Sequence, residues 1–376
     1  MLQNAKLIET LYNSVRNYIH YFSFRTSILR IILNFFRLQY LSIVGKHNRW
    51  ESISKGVVND DFICTPPTFY VIEPGSYCNL NCVFCPTGRN ENEFPKGFVS
   101  YENFKKIFNK IKPYAKCIFL YNWGEPFLNR DLLRIVSLCA SNGISTYLDS
   151  NLSVREFNRK EVDLIVRSGL TSLKACIDGC TQATYEKYRV GGNFNRAFGN
   201  LKNLQQWKKR IGVQTPNIQW KFLVNAYNEH ELLDAVRLAN RIGVRISFEL
   251  MDIWGESNWE SKFHRSERKS FKKEREMTKN DLPLKIGELQ LHYVLPNWCK
   301  QTFDTMIITW QGNVLTCCNV YKKEFIMGNV FDENIESLWN NKKFRDCRRF
   351  LFNYGSVQND KSLCETLPCP LKRKYV

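Results

Sequence analysis

The chain has 376 residues, of which 44% are hydrophobic and 14% aromatic, with a formal charge of +18. That composition excludes a mostly disordered chain, and at roughly 100–200 residues per domain the length predicts two or three folded units. Fourteen cysteines without a cleavable signal peptide argue against a secreted disulfide scaffold and for metal binding in the cytoplasm.

Residues 1–65 read as a basic helical extension. Within it, residues 27–38 are apolar except for Arg30, Asn34 and Arg37, which recur at helical spacing and share one face. The run falls short of the ~20 apolar residues a membrane span needs, so packing against the protein or peripheral contact with the inner membrane face is expected. The positive charge is spread without an RNA-binding signature, so nucleic acid is not an expected partner.

From residue 66 to 255, short β-rich runs alternate with helical patterns, the signature of parallel βαβ units. Strands are predicted at Phe69 to Glu73, Cys117 to Tyr121, Ser145 to Asp149, Ser172 to Ile177, Ile218 to Asn225 and Arg245 to Leu250. Helices are predicted over Tyr101 to Ile111, Asp131 to Ser141 and Glu229 to Ile242, ending near Gly143 or Gly243. The fold class is therefore α/β, with six strands suggesting a partial barrel. Residues 256–290 form a charged linker bearing Lys262, Arg265, Arg268 and Lys269, and residues 291–376, where cysteines return, form a further α+β domain.

Cys78, Cys82 and Cys85 fall directly after the first predicted strand, where the loops of such barrels build active sites. Iron-sulfur clusters are held by cysteine thiolates, normally four, so three leave one iron open to another ligand. A structural zinc site would need a fourth nearby ligand, which this loop lacks. The spacing Cys-x3-Cys-x2-Cys, with Phe84 before the last cysteine, resembles the signature of the radical S-adenosylmethionine (SAM) superfamily.

The resemblance implies a partial (β/α)6 TIM-like barrel in which the unique iron of a [4Fe-4S] cluster chelates SAM. One electron, from a reductant such as flavodoxin or ferredoxin, then yields methionine and a 5'-deoxyadenosyl radical that abstracts hydrogen from substrate.

Further positions match the family's pattern in order. Gly124-Glu125-Pro126 resembles its Gly-Gly-Glu-Pro motif, with Trp123 in place of the first glycine; Ser150-Asn151 resembles its Ser-Asn pair near the cofactor ribose. Asp178 lies in Cys176-Ile177-Asp178-Gly179, similar to Ser-x-Asp-Gly with cysteine for serine. Arg189 matches an arginine that pairs the cofactor carboxylate, and Phe84 is expected beside the adenine.

Near the C-terminus, Cys299, Cys317 (in Gly312-x4-Cys317), Cys364 and Cys369 resemble the ligands of an auxiliary [4Fe-4S] cluster in a SPASM or twitch domain. Cys318 and Cys347 are substitutes, and zinc is the alternative metal. The expected activity is hydrogen abstraction from a small hydroxylated or sugar-like substrate, with net oxidation assisted by the auxiliary cluster. A peptide maturase is the alternative enzyme; a non-catalytic electron-transfer or nucleic-acid-binding iron-sulfur protein is the alternative of another class. The sequence singles out no acid, base or hydrogen donor.

Overall fold

The structure, a computed structural model, describes residues 62–253, 256–264 and 301–352. The apolar helix expected at residues 27–38, Cys299, Cys364, Cys369 and most of the charged linker lie outside them. Backbone contacts divide the chain into two units, residues 1–65 and 66–376, and the sheet with its helices belongs to the second.

The six parallel strands of that unit are β1 (Phe69–Ile72), β2 (Cys117–Phe119), β3 (Ser145–Ser150), β4 (Ser172–Cys176), β5 (Asn217–Val224) and β6 (Arg245–Leu250). Between them run α1 (Tyr101–Ile111), α2 (Leu132–Ser141), α3 (Arg159–Arg167), α4 (Gln182–Tyr188), α5 (Phe194–Arg210) and α6 (Leu232–Ile242). The order β6-β5-β4-β3-β2-β1 is that of a partial (β/α)6 barrel.

Local chemistry accounts for the helices. Ser100 caps α1 by accepting from the Asn103 N–H, and Phe104, Ile107, Phe108 and Ile111 then bury one stripe. Asn158 and Glu161 form a reciprocal capping box at the start of α3. Helix α6 stops at Gly243, whose φ of 74° is the left-handed conformation that glycine adopts freely. Strand residues facing the helices, such as Leu148, Leu173, Trp220 and Phe248, are buried, each large apolar side chain contributing ~1.5–3 kcal/mol.

Beyond the linker, α7 (Gln301–Asp304) leads into β7 (Thr305–Ile308), β8 (Asn313–Leu315) and β9 (Ile326–Asn329), followed by α8 (Ile335–Trp339) and α9 (Lys342–Phe352). Strand β7 pairs in parallel with β1, and β8 and β9 continue antiparallel, so one nine-stranded sheet runs through the unit. Val71 of β1 therefore shares a core with Ile307, Leu315, Val320 and Phe325. Strand pairing carries this C-terminal segment to the mouth of the barrel, beside the loop after β1.

Candidate active site

The chain leaves β1 at Ile72 and enters the three-cysteine loop. Leu80, Cys82 and Phe84 turn inward onto Tyr188, Met251 and Ile253. Two backbone bonds, from Asn81 N–H to the Val190 carbonyl (2.9 Å) and from Val83 N–H to the Tyr188 carbonyl (3.3 Å), tie the loop to the end of α4. Gly88 lets the chain double back, because a Cβ there would lie 2.6 Å from the Cys82 backbone.

Cys82 is buried, while Cys78 and Cys85 are half-buried. Burial pushes the Cys78 thiol up to about 12, against a lowering by the Leu80 N–H, and raises that of Cys82 against the opposing charge of Arg189. N–H groups already point at two sulfurs: Leu80 N is 3.5 Å from Cys78 Sγ, and Arg189 Nη1 is 3.7 Å from Cys82 Sγ. Buried soft donors with N–H partners are what an iron-sulfur cluster requires, and binding it expels the thiol protons. The residues therefore fit a cluster. Among the described residues no three His, Cys, Asp or Glu side chains converge as ligands of one ion do; a cubane instead takes each thiolate on its own iron.

Around this loop the remaining motif residues form an arc at the carboxyl ends of β2, β3 and β4. Glu125 is buried and turned inward: its Oε1 accepts from Ser150 Oγ (2.7 Å) and Phe127 N–H (3.1 Å), and its Oε2 from Asn151 N–H (2.9 Å). It thus locks the Gly-Glu-Pro turn to the Ser-Asn pair. Pro126 opens the following 3-10 turn. Asn151 Nδ2 reaches Asn79 Oδ1 at 3.1 Å and lies 3.9 Å from Cys78 Sγ.

Asp178 is fully buried; its Oδ2 accepts from Arg189 Nε at 2.6 Å and its Oδ1 from Leu223 N–H at 2.7 Å. Its position makes it the group that aims Arg189 at Cys82. Phe84 packs edge-on against Trp259, with ring centroids 5.2 Å apart, beside Cys82 and Cys85.

Cys317 and Cys318 follow β8, half-buried against the core around Val71, as are Phe119 and Tyr121. Gln301 Nε2 donates to Cys318 Sγ at 3.2 Å. Cys347 is buried in α9.

Sequence reading gave no role to two residues that join these parts. Trp123, which departs from the family's glycine, donates from Nε1 to the Val320 carbonyl at 2.8 Å and so ties the Gly-Glu-Pro turn to the cysteine-bearing C-terminal segment. Glu73 is buried at the end of β1, in contact with the Trp310 N–H, the Trp123 backbone and Asn122. The departure at Trp123 was the only available signal; Glu73 carried none.

Burial raises the Glu73 carboxyl to about 7, outweighing its hydrogen bonds. With the folded-state value above the unfolded one, its contribution to stability is fully present below pH ~4.5 and is lost as pH rises through ~7. Glu73→Gln should abolish a loss of roughly 2–3 kcal/mol between pH 5 and pH 8, read by urea unfolding at each pH. An unchanged pH slope would refute the assignment.

Residues 72–208 match the model of the radical SAM superfamily, and residues 299–370 match that of an iron-sulfur cluster-binding domain, SPASM. The chain belongs to the radical SAM superfamily. Radical SAM and SPASM domains bring SAM, the [4Fe-4S] cluster that binds it, and an auxiliary [4Fe-4S] cluster. The AdoMet-dependent heme synthase of Methanosarcina barkeri is 24% identical over 167 residues, 44% of this chain and 45% of that protein. The S-adenosyl-L-methionine-dependent 2-deoxy-scyllo-inosamine dehydrogenase of Niallia circulans is 32% identical over 53 residues, 14% of this chain and 21% of that protein. The chain thus spans less than half the length of these curated relatives. Streptococcus suis SuiB bound to SAM has the same fold, with a TM-score of 0.58 at 14% identity, covering 98% of this chain and 84% of SuiB.

Proposed function

We propose that this radical SAM enzyme abstracts hydrogen from a small hydroxylated or sugar-like substrate in a net oxidation assisted by the auxiliary cluster. The observation that supports the hydrogen-abstraction chemistry is the arc of motifs around Cys78, Cys82 and Cys85, with Arg189 fixed by Asp178 on one side and Asn151 fixed through Glu125 on the other. When bound, the cluster and SAM supply a 5'-deoxyadenosyl radical. The chain's own residues orient and enclose them. Gly124 admits close backbone packing, since a Cβ there would stand 1.9 Å from the Gly75 carbonyl oxygen. Phe84, Tyr188 and Trp259 form an apolar wall that excludes water beside the cysteines.

On this reading Cys78, Cys82 and Cys85 hold the SAM-binding cluster, and Cys299, Cys317, Cys364 and Cys369 the auxiliary one. Gly124, Glu125, Pro126, Ser150, Asn151, Asp178, Arg189 and Phe84 shape the cofactor site. The division into an N-terminal extension, a barrel over 66–255, a linker over 256–290 and a cluster domain from 291 belongs to the same proposal, as does a flavodoxin- or ferredoxin-type reductant. No helix among the described residues is long and apolar enough to cross a membrane; peripheral contact through residues 27–38 is proposed on sequence alone.

A peptide substrate is the second reading, since SuiB, with which the chain shares its fold, has been seen bound to its precursor peptide SuiA. The test is anaerobic reconstitution with iron and sulfide, reduction by dithionite, and measurement of 5'-deoxyadenosine with sugars, cyclitols or peptides added. Stimulation by a hydroxylated small molecule is expected. Stimulation by peptides alone favours the second reading, and absence of 5'-deoxyadenosine from cluster-replete protein overturns the enzyme reading.

A further inference from the structure

The inward face of the barrel carries a row of charges that the cluster and cofactor residues do not use. Along β3 to β6, the positions turned away from the helices include half-buried Tyr147, Asp149, Lys174, Cys176, Gln219, Lys221, Ser247 and Glu249, with the apolar Leu223 beside Glu249. The alternate positions form the core; Trp220, for example, packs on Phe198 of α5 with centroids 5.6 Å apart. Strand register sets Lys174 beside Asp149 and Gln219, and Lys221 beside Cys176 and Ser247.

Lys221 Nζ stands 3.0 Å from Glu249 and 4.0 Å from Asp149, with the three side chains only 22–26% exposed. Burial disfavours the Lys221 ammonium, but Cys176, Glu249 and Asp149 around it raise its pKa above the ordinary value. Arg189 lies within electrostatic reach of Asp149 and Cys176, and Tyr121 within reach of Asp149 and Cys318. The row therefore stands between the three-cysteine loop and Cys318.

Parallel barrels are ordinarily filled with branched apolar side chains, and ions placed there cost several kcal/mol each in lost hydration unless paired. Here two acidic side chains, Asp149 and Glu249, share the face with two lysines, Lys174 and Lys221, so the formal charges of the row cancel, although burial raises the Asp149 carboxyl above its ordinary range against the pull of Lys221 and Lys174. An ionic guest would leave a charge uncompensated at low dielectric, whereas a neutral hydroxyl both donates to a carboxylate and accepts from an ammonium.

We propose that Asp149, Lys221 and Glu249 form the specificity group of the substrate site, selecting an uncharged, polyhydroxylated small molecule over charged analogues and over peptides. This rests on the small-substrate reading and adds to it the residues and the charge of the ligand.

The test is calorimetric titration of the SAM-loaded holoenzyme with myo-inositol, with D-gluconate and glucosamine as charged comparisons. Wild type should bind inositol in preference to both, and Asp149→Asn and Lys221→Met should weaken it by roughly 10- to 100-fold, the value of a hydrogen bond to a charged group. SAM affinity should be unchanged. Since removing one ion can impair folding, the charge-neutral pair Lys221→Gln with Glu249→Gln is measured alongside and should weaken inositol similarly. Equal inositol binding by wild type and all variants overturns the assignment while leaving the small-substrate reading intact. Failure of the wild type to bind inositol, or preference for a charged comparison, overturns it as well. In each case 5'-deoxyadenosine formation reports separately on the radical chemistry.

Discussion

Cys82→Ala is expected to leave 5'-deoxyadenosine formation below detection and to lower bound iron by about four atoms per chain, the content of one cubane. Of the three loop cysteines, Cys82 is the most buried, 5% exposed, and the one that Arg189 addresses. Alanine is smaller and apolar, so the contacts with Leu80, Phe84 and Tyr188 are largely kept and the variant should fold. Cys369→Ala, by contrast, should retain some uncoupled SAM cleavage, because on the proposed assignment its thiolate serves the auxiliary cluster. Iron and sulfide analysis with chromatographic measurement of 5'-deoxyadenosine decides the matter. Equal loss of cleavage in the two variants, with the first cluster still assembled in both, would refute the division of labour.

The second large effect is expected at the buried ion pair. Asp178 is fully buried and Arg189 is 14% exposed, so Arg189→Met strands a carboxylate without its partner and should cost about 3–5 kcal/mol of stability. The same change removes a cationic N–H from Cys82 Sγ, and hydrogen bonds to cluster sulfurs raise reduction potential. The Arg189→Met cluster should accordingly be reduced at a more negative potential, seen in a redox titration followed by electron paramagnetic resonance. Asp178→Asn with Arg189→Met leaves no stranded charge and should recover much of the stability but not the potential. If the double variant were as unstable as the single one, a stranded charge would not be the cause. If the potential did not move in either, Arg189 would not act on the cluster.

Much of the site was legible because its signals are local. Three cysteines at fixed short spacing, a Gly-Glu-Pro turn and a Ser-Asn pair each sit where a strand ends, and the 2.0 and 3.6 periodicities mark strands and helices within a few residues. The six strands agree with their predicted runs apart from end residues: β2, for instance, stops at Phe119 rather than Tyr121, where the chain turns toward the Gly-Glu-Pro motif. The predicted helix over Glu229 to Ile242 begins as a 3-10 turn, Glu229–Glu231, before α6.

What the amino-acid sequence determined by itself was therefore motif and order: three cysteines at the family's spacing, an alternation that yields a parallel barrel, and a second cysteine-bearing segment behind it. Tertiary structure alone decided which of these meet. Arg189 and Cys82 are 107 positions apart in sequence, Trp123 and Val320 197, and β7 comes to lie against β1 only through strand pairing. The physical reason is range. A motif or a period is written in neighbouring residues, whereas the ion pair behind Cys82 and the charged row inside the barrel exist only once parallel strand pairing brings distant strand ends to one mouth.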